Sequence, residues 1–167
     1  ASMIAIYGIL TALAIFASSR AEGLYYDNVF IAQAQLNDAS ELAIEAHIGV
    51  SRDLNVLEQM QIQELAGAGP EMAEFLYGHL SADAQASLVR SGDIDEVYID
   101  GMYLAHNVER ERSMRSFDLA VAWSERSSTY ETLATMLAVG LAFAAWASLI
   151  ENAGVIRWVF TVIATLI

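Results

Sequence analysis

Three histidines, His47, His79 and His106, are the residues best suited by type to hold a metal or move a proton, and their spacing suits neither task. A carboxylate-bridged di-iron site on a helical bundle uses two Glu-x-x-His pairs and two further Glu. Here no Glu has a His three residues after it, and His106-x-x-Glu109 runs in the reverse order. The HExxH pair, the phosphate-cradling P-loop and the dinucleotide glycine pattern are all absent. Asp93, Asp95 and Asp100-Gly101 are residue types found in calcium loops, but the EF-hand spacing fails and no Glu closes the loop. Asp93, with Glu96 three residues on, reads instead as the capping box of a helix. No nucleophile elbow accompanies the serines. With no Cys in the chain, disulfides, thiol catalysis and Cys-based metal centres are excluded. The chain is therefore read as non-catalytic, with no catalytic, cofactor-binding or metal-ligating residue to assign.

What remains must be argued from the elements and from charge. The chain has 167 residues, 56% of them hydrophobic, and a mean hydropathy of +0.39. That is high for a soluble domain and natural for a chain that is partly membrane. The net charge is −13, and all of it falls between Arg20 and Thr132; outside that stretch Glu151 and Arg157 cancel. All eight basic residues are Arg. Such an acidic segment is not drawn to phosphate backbones, so nucleic acid is excluded as a partner.

Three apolar runs predict membrane helices. Residues 1–19, ASMIAIYGILTALAIFASS, carry no charge and end at Arg20. The run lacks the charged start of a signal peptide and is read as a retained N-terminal anchor. Leu133–Ile150 is a second uncharged stretch, whose eighteen residues make a helix of about 27 Å, near the hydrocarbon thickness of a bilayer. Val155–Ile167 follows, so that 133–167 reads as a pair of membrane helices. No Asp, Glu, Lys, Arg or His lies inside Met3–Ala17 or Leu133–Ile150, which argues against an ion or proton pathway in this chain alone. Small residues at four-residue spacing are present instead: Gly8 with Ala12, Ala138 with Ala142, Gly140 with Ala144, and Ala144 with Ser148. This spacing lets membrane helices approach closely. Tyr25, Tyr26, Trp146, Arg157 and Trp158 are placed as interface anchors.

Residues 20–132 predict an acidic helical hairpin. A seven-residue series, Val29, Leu36, Ala43, Val50 and Leu57, has a companion three residues on, Ala32, Ala39, Ala46, Asp53 and Met60. Together they form the a/d seam of a coiled coil, broken only by Asp53. Ala66-Gly67-Ala68-Gly69-Pro70 ends the first arm, and two short helices are expected at the tip over 66–93. The second arm starts at Ile94, shows an apolar face at Val97, Leu104 and Val108, followed later by Met114, Phe117, Ala120 and Val121, and runs without a break into the membrane stretch.

Ala32–Ala46 (AQAQLNDASELAIEA) and Phe117–Ile150, with Ser127-x-x-Tyr130-Glu131 running into the apolar stretch, carry a resemblance. In layout the chain resembles uncharacterised small prokaryotic membrane proteins with one N-terminal anchor, an Ala/Glu-rich hairpin and a C-terminal membrane pair. That resemblance implies an all-α membrane fold with three transmembrane helices and a long antiparallel hairpin outside the bilayer, and implies no activity. The function expected is that of an accessory or scaffold subunit of the cell membrane, whose partners are the lipid bilayer and other membrane subunits or copies of itself. A membrane-anchored sensor module and a metal-dependent enzyme on the hairpin are the alternatives. The hairpin is expected on the extracytoplasmic side, which protease accessibility of Arg90 in intact cells reports.

Overall fold

The computed structural model describes residues 2–67, 69–149 and 154–166, apart from the side chains at 2, 3, 156 and 157. Every element among them is helical: α1 (Ser2–Leu65), α2 (Pro70–Tyr77), α3 (Ala82–Ser91), α4 (Glu96–Leu149) and α5 (Gly154–Leu166). The expected anchor and first hairpin arm are thus one continuous helix. Nothing between Ser2 and Leu65 stops it, because the stretch holds no Pro and its glycines cost only about 1 kcal/mol each relative to Ala. The stop comes where Gly67 takes a left-handed φ of 75°, with the Gly67 N–H donating to the Glu64 carbonyl. Pro70 then opens α2, where its missing N–H costs nothing.

Two compact units are formed, Ala1–Ile31 with Arg115–Ile167, and Ala32–Met114. They divide within the polar sequence, not at the edges of the apolar runs. Both contain a segment of α1 packed against a segment of α4.

In the Ala32–Met114 unit, α1 and α4 are antiparallel and touch through very small side chains. Ala32 and Ala39 are fully buried and Ala46 nearly so. Ser113 Oγ donates to the Ala32 carbonyl at 2.8 Å, and His106 Nδ1 bonds the Ala39 carbonyl at the same distance. The seven-residue step from Ala32 to Ala39 along α1 is matched by a seven-residue step back from Ser113 to His106 along α4. A side chain reaches the backbone of a neighbouring helix where that helix carries a small side chain, here a methyl group. Gly49 extends the contact, since a Cβ there would lie 2.5 Å from Met102 Cε. Val50, Leu80, Ala84 and Tyr98 form the core of this unit where α2 and α3 fold back on the long helices.

The line of partly or fully buried positions on α1 alternates steps of four and three residues, through Ala32, Gln35, Ala39, Leu42, Ala46, Gly49, Asp53, Val56, Met60 and Gln63. Of the other expected series, Val50 is buried, Val29, Ala43 and Leu57 are half-buried, and Leu36 is 43% exposed. On α4 the apolar face expected at Val97, Leu104 and Val108 points outward, the first two being 65% and 62% exposed. The inner face is Tyr98, Met102, His106 and Ser113. The reason is that the contact selects for small or hydrogen-bonding side chains that permit close approach, and apolarity alone does not report that.

The other unit uses the same chemistry. Ala14, Ser18 and Ala21 are buried on α1, and Ala120, Ser127, Ala134 and Ala147 on α4. The hydroxyls of Ser18 and Ser127 lie 3.1 Å apart. Gly140 is buried, and a Cβ there would meet the Tyr7 ring at 3.1 Å. The Tyr7 hydroxyl donates to the Ala164 carbonyl of α5, satisfying a group in the last turn that has no partner within its own helix. Phe160 of α5 stacks on Phe143, ring centroids 5.7 Å apart.

Replacing Ala39 by Leu puts three extra carbons into a closed contact and is expected to cost about 1–3 kcal/mol or more. Leu36→Ala, on the exposed face, should cost less than about 1 kcal/mol. Thermal unfolding of both variants in detergent, followed by circular dichroism, checks the contrast.

Candidate functional site

Asp53 is the one charged residue in the expected seam, and its side chain is fully buried. Its partners come from two elements. The first turn of α3 brings Ser81, whose N–H donates to Asp53 Oδ1 at 3.2 Å and whose hydroxyl donates to Oδ2. The first turn of α4 brings Tyr98, whose hydroxyl donates to Oδ2 at 2.8 Å. Arg52 adds a loose contact at 3.4 Å from an exposed position. Burial pushes the Asp53 carboxyl up, but the Ser81 and Tyr98 hydroxyls, the Ser81 N–H and Arg52 outweigh it and hold the group below its ordinary value of 3.8. Tyr98 is pushed up to about 12 by burial and by the carboxylate it bonds.

In type, a carboxylate against a serine hydroxyl is a base with a nucleophile. The geometry assigns it another task. Ser81 Oγ also accepts from the Ala84 N–H, making it the N-cap of α3. Every hydrogen-bonding group is thus committed, and Asp53 has no exposed surface to offer a substrate. The cluster is a latch that fixes the start of α3 and α4 to α1.

A second polar cluster sets the start of α4. Its N-cap is Asp95, not the expected Asp93: the Asp95 carboxylate accepts from the Tyr98 N–H at 2.9 Å, and the helix begins at Glu96. Ser87 Oγ causes the shift, because it donates to the Asp93 carbonyl and accepts from the Asp95 N–H. Arg90 closes on Asp95 with two bonds of 2.7 and 2.8 Å. Those bonds and the Tyr98 N–H hold the Asp95 carboxyl well below its ordinary range, and the Asp95 carboxylate in turn raises Arg90.

The histidines are dispersed. His106 bonds the Ala39 carbonyl, His79 bonds the Phe75 carbonyl at 2.8 Å, and His47 is exposed. Among the described residues no group of three or more His, Asp or Glu could hold a metal ion.

The residues expected to pack in the membrane fall on two sides. Gly140 is buried, and Gly8 and Ala144 are half-buried. Ala12, Ala138, Ala142 and Ser148 are exposed. Of the expected anchors, Tyr25 is half-buried and meets Tyr26 edge to face, while Tyr26, Trp146 and Trp158 are 60%, 62% and 68% exposed. The Arg157 side chain lies outside the described residues. Glu22, Tyr25, Tyr26, Ser124, Ser127, Ser128 and Glu131 line an open hollow of about 270 Å³ where the apolar stretches give way to polar sequence.

Sequence reasoning missed the partners of Asp53 and the capping role of Asp95. The signal available for the first was the charge itself: a carboxylate in a line of Ala demands donors from elsewhere. No protein-family model, curated protein or solved structure matches the chain.

Asp53→Ala leaves the Tyr98 hydroxyl and the Ser81 N–H buried without an acceptor, an expected cost of about 2–4 kcal/mol. Because the folded-state pKa lies below 3.8, the stability from Asp53 is complete above pH 3.8 and is lost as pH falls through the folded value. Amide exchange of Ala84 and Tyr98 should therefore quicken in the variant at neutral pH and in the parent only under strong acid.

Proposed function

We propose that the protein is a non-catalytic integral membrane subunit, an accessory or scaffold element that packs into a larger membrane assembly or against copies of itself. One observation carries the reading. α1 and α4 are each long and apolar enough to span a bilayer, yet only 17% and 22% of their most apolar windows is buried. The core helix of a soluble protein hides such a window. Here Ile9, Leu13, Phe16, Val139 and Trp146 face outward, 43% to 65% exposed, and a hydrocarbon solvent is the environment that suits them.

On this reading α5 is the third membrane segment. Its thirteen residues reach about 20 Å, less than a bilayer, and it is held by Tyr7 and Phe143 from the two longer helices. The acidic Ala32–Met114 unit stands on the extracytoplasmic side.

The small residues then divide by role. Gly140 closes the chain's own packing, and outward Ala138 and Ala142 offer a second helix a close approach. Ala138→Leu with Ala142→Leu should leave the protein's own unfolding transition within about 0.5 kcal/mol of the parent. Recovery of the stoichiometric partner, or of the self-associated form, from mild detergent should fall about tenfold or more. A parent protein that purifies alone and monomeric contradicts the proposal.

A further inference from the structure

The outer face of α1 in the Ala32–Met114 unit is apolar and acidic together. Ile44, Ile48, Leu54, Ile62 and Leu65 are 61%, 62%, 46%, 54% and 90% exposed. At 3.6 residues per turn they occupy roughly a third of the helix circumference, on the side away from Ala32, Ala39 and Ala46. Ile44 to Leu65 is about 32 Å of helix, enough to seat some six turns of another. Glu58 lies within this face and Glu41 borders it, with Glu45 and Asp38 on the flank beyond Glu41; all four are exposed, and none has an ion-pair partner among the described residues. The neighbouring cation, Arg52, bonds Asp53. The whole unit holds fifteen Asp and Glu against four Arg, a net charge of −11.

We infer that this face docks a basic amphipathic helix of a partner subunit, an inference that rests on the membrane-subunit reading above. Branched apolar side chains at helical spacing are what the apolar side of such a helix buries. Unpaired carboxylates beside them select Lys and Arg at its edges and repel acidic competitors. A second copy of this chain is the wrong occupant, because it would set Glu41 and Glu58 against the same carboxylates of another unit of net charge −11.

The full chain in zwitterionic nanodiscs, titrated with a fluorescent Leu/Lys amphipathic helix and with its Leu/Glu counterpart, tests this by anisotropy against empty discs. The Leu/Lys helix should bind saturably and the Leu/Glu helix should not. Ile44→Ser with Ile48→Ser should weaken binding about tenfold or more. Glu41→Gln with Glu58→Gln, which keep side-chain shape, should weaken it and flatten its salt dependence. Val97→Ser with Leu104→Ser, exposed on α4, should leave it unchanged. Equal loss from the α4 pair, no loss from both α1 pairs, or a parent oligomer that Ile44→Ser with Ile48→Ser dissociates would overturn the inference. Peptide failure alongside retained co-purification of a membrane subunit removes this inference and leaves the membrane-subunit reading standing.

Discussion

Close approach of α1 and α4 is the constraint from which the structure follows. In each unit a side chain or hydroxyl of α4 bonds the backbone of α1: Ser113 at Ala32, His106 at Ala39 and Ser127 at Ser18. Such bonds form only if the facing positions carry small side chains, so Ala32, Ala39 and Ser18 answer a geometric requirement. Two helices that meet along a narrow line of small residues bury little apolar area. Directed hydrogen bonds and the folded-back α2 and α3 supply what the thin core does not. Asp53 belongs to that supply, being the point where three elements share one carboxylate.

A narrow inner seam leaves most of each helix surface outward. Over the apolar stretches that surface suits lipid. Over the polar stretch it still presents Ile44, Ile48, Val97 and Leu104, which a free-standing soluble hairpin has no reason to display together. The same constraint that thins the core therefore provides contact faces, and the proposal of a membrane subunit grows from it.

Much of this was legible in residue order. The Pro-free stretch from Ile94 marked one long helix running into the apolar run, Ala66 to Pro70 marked the break, and the Ala32, Ala39, Ala46 spacing marked the inner line. Other features were not legible, for physical reasons. Heptad reading assumes that large apolar residues point inward, whereas here Leu36, Val97 and Leu104 are displaced outward by smaller competitors. The helix start moved from Asp93 to Asp95 because Ser87, eight residues before the cap, fixes the loop by contacts that no local pattern encodes. The donors for Asp53 come from 28 and 45 residues away in sequence.

The central claim is that this chain works as a contact element within a membrane. Native mass spectrometry of the protein, extracted from its own membrane in polymer-bounded lipid discs, tests that most directly. The account predicts a particle heavier than one 18.2 kDa chain with lipid, made up by a second subunit or by further copies. A lone chain in every disc, with no bound protein, would contradict it.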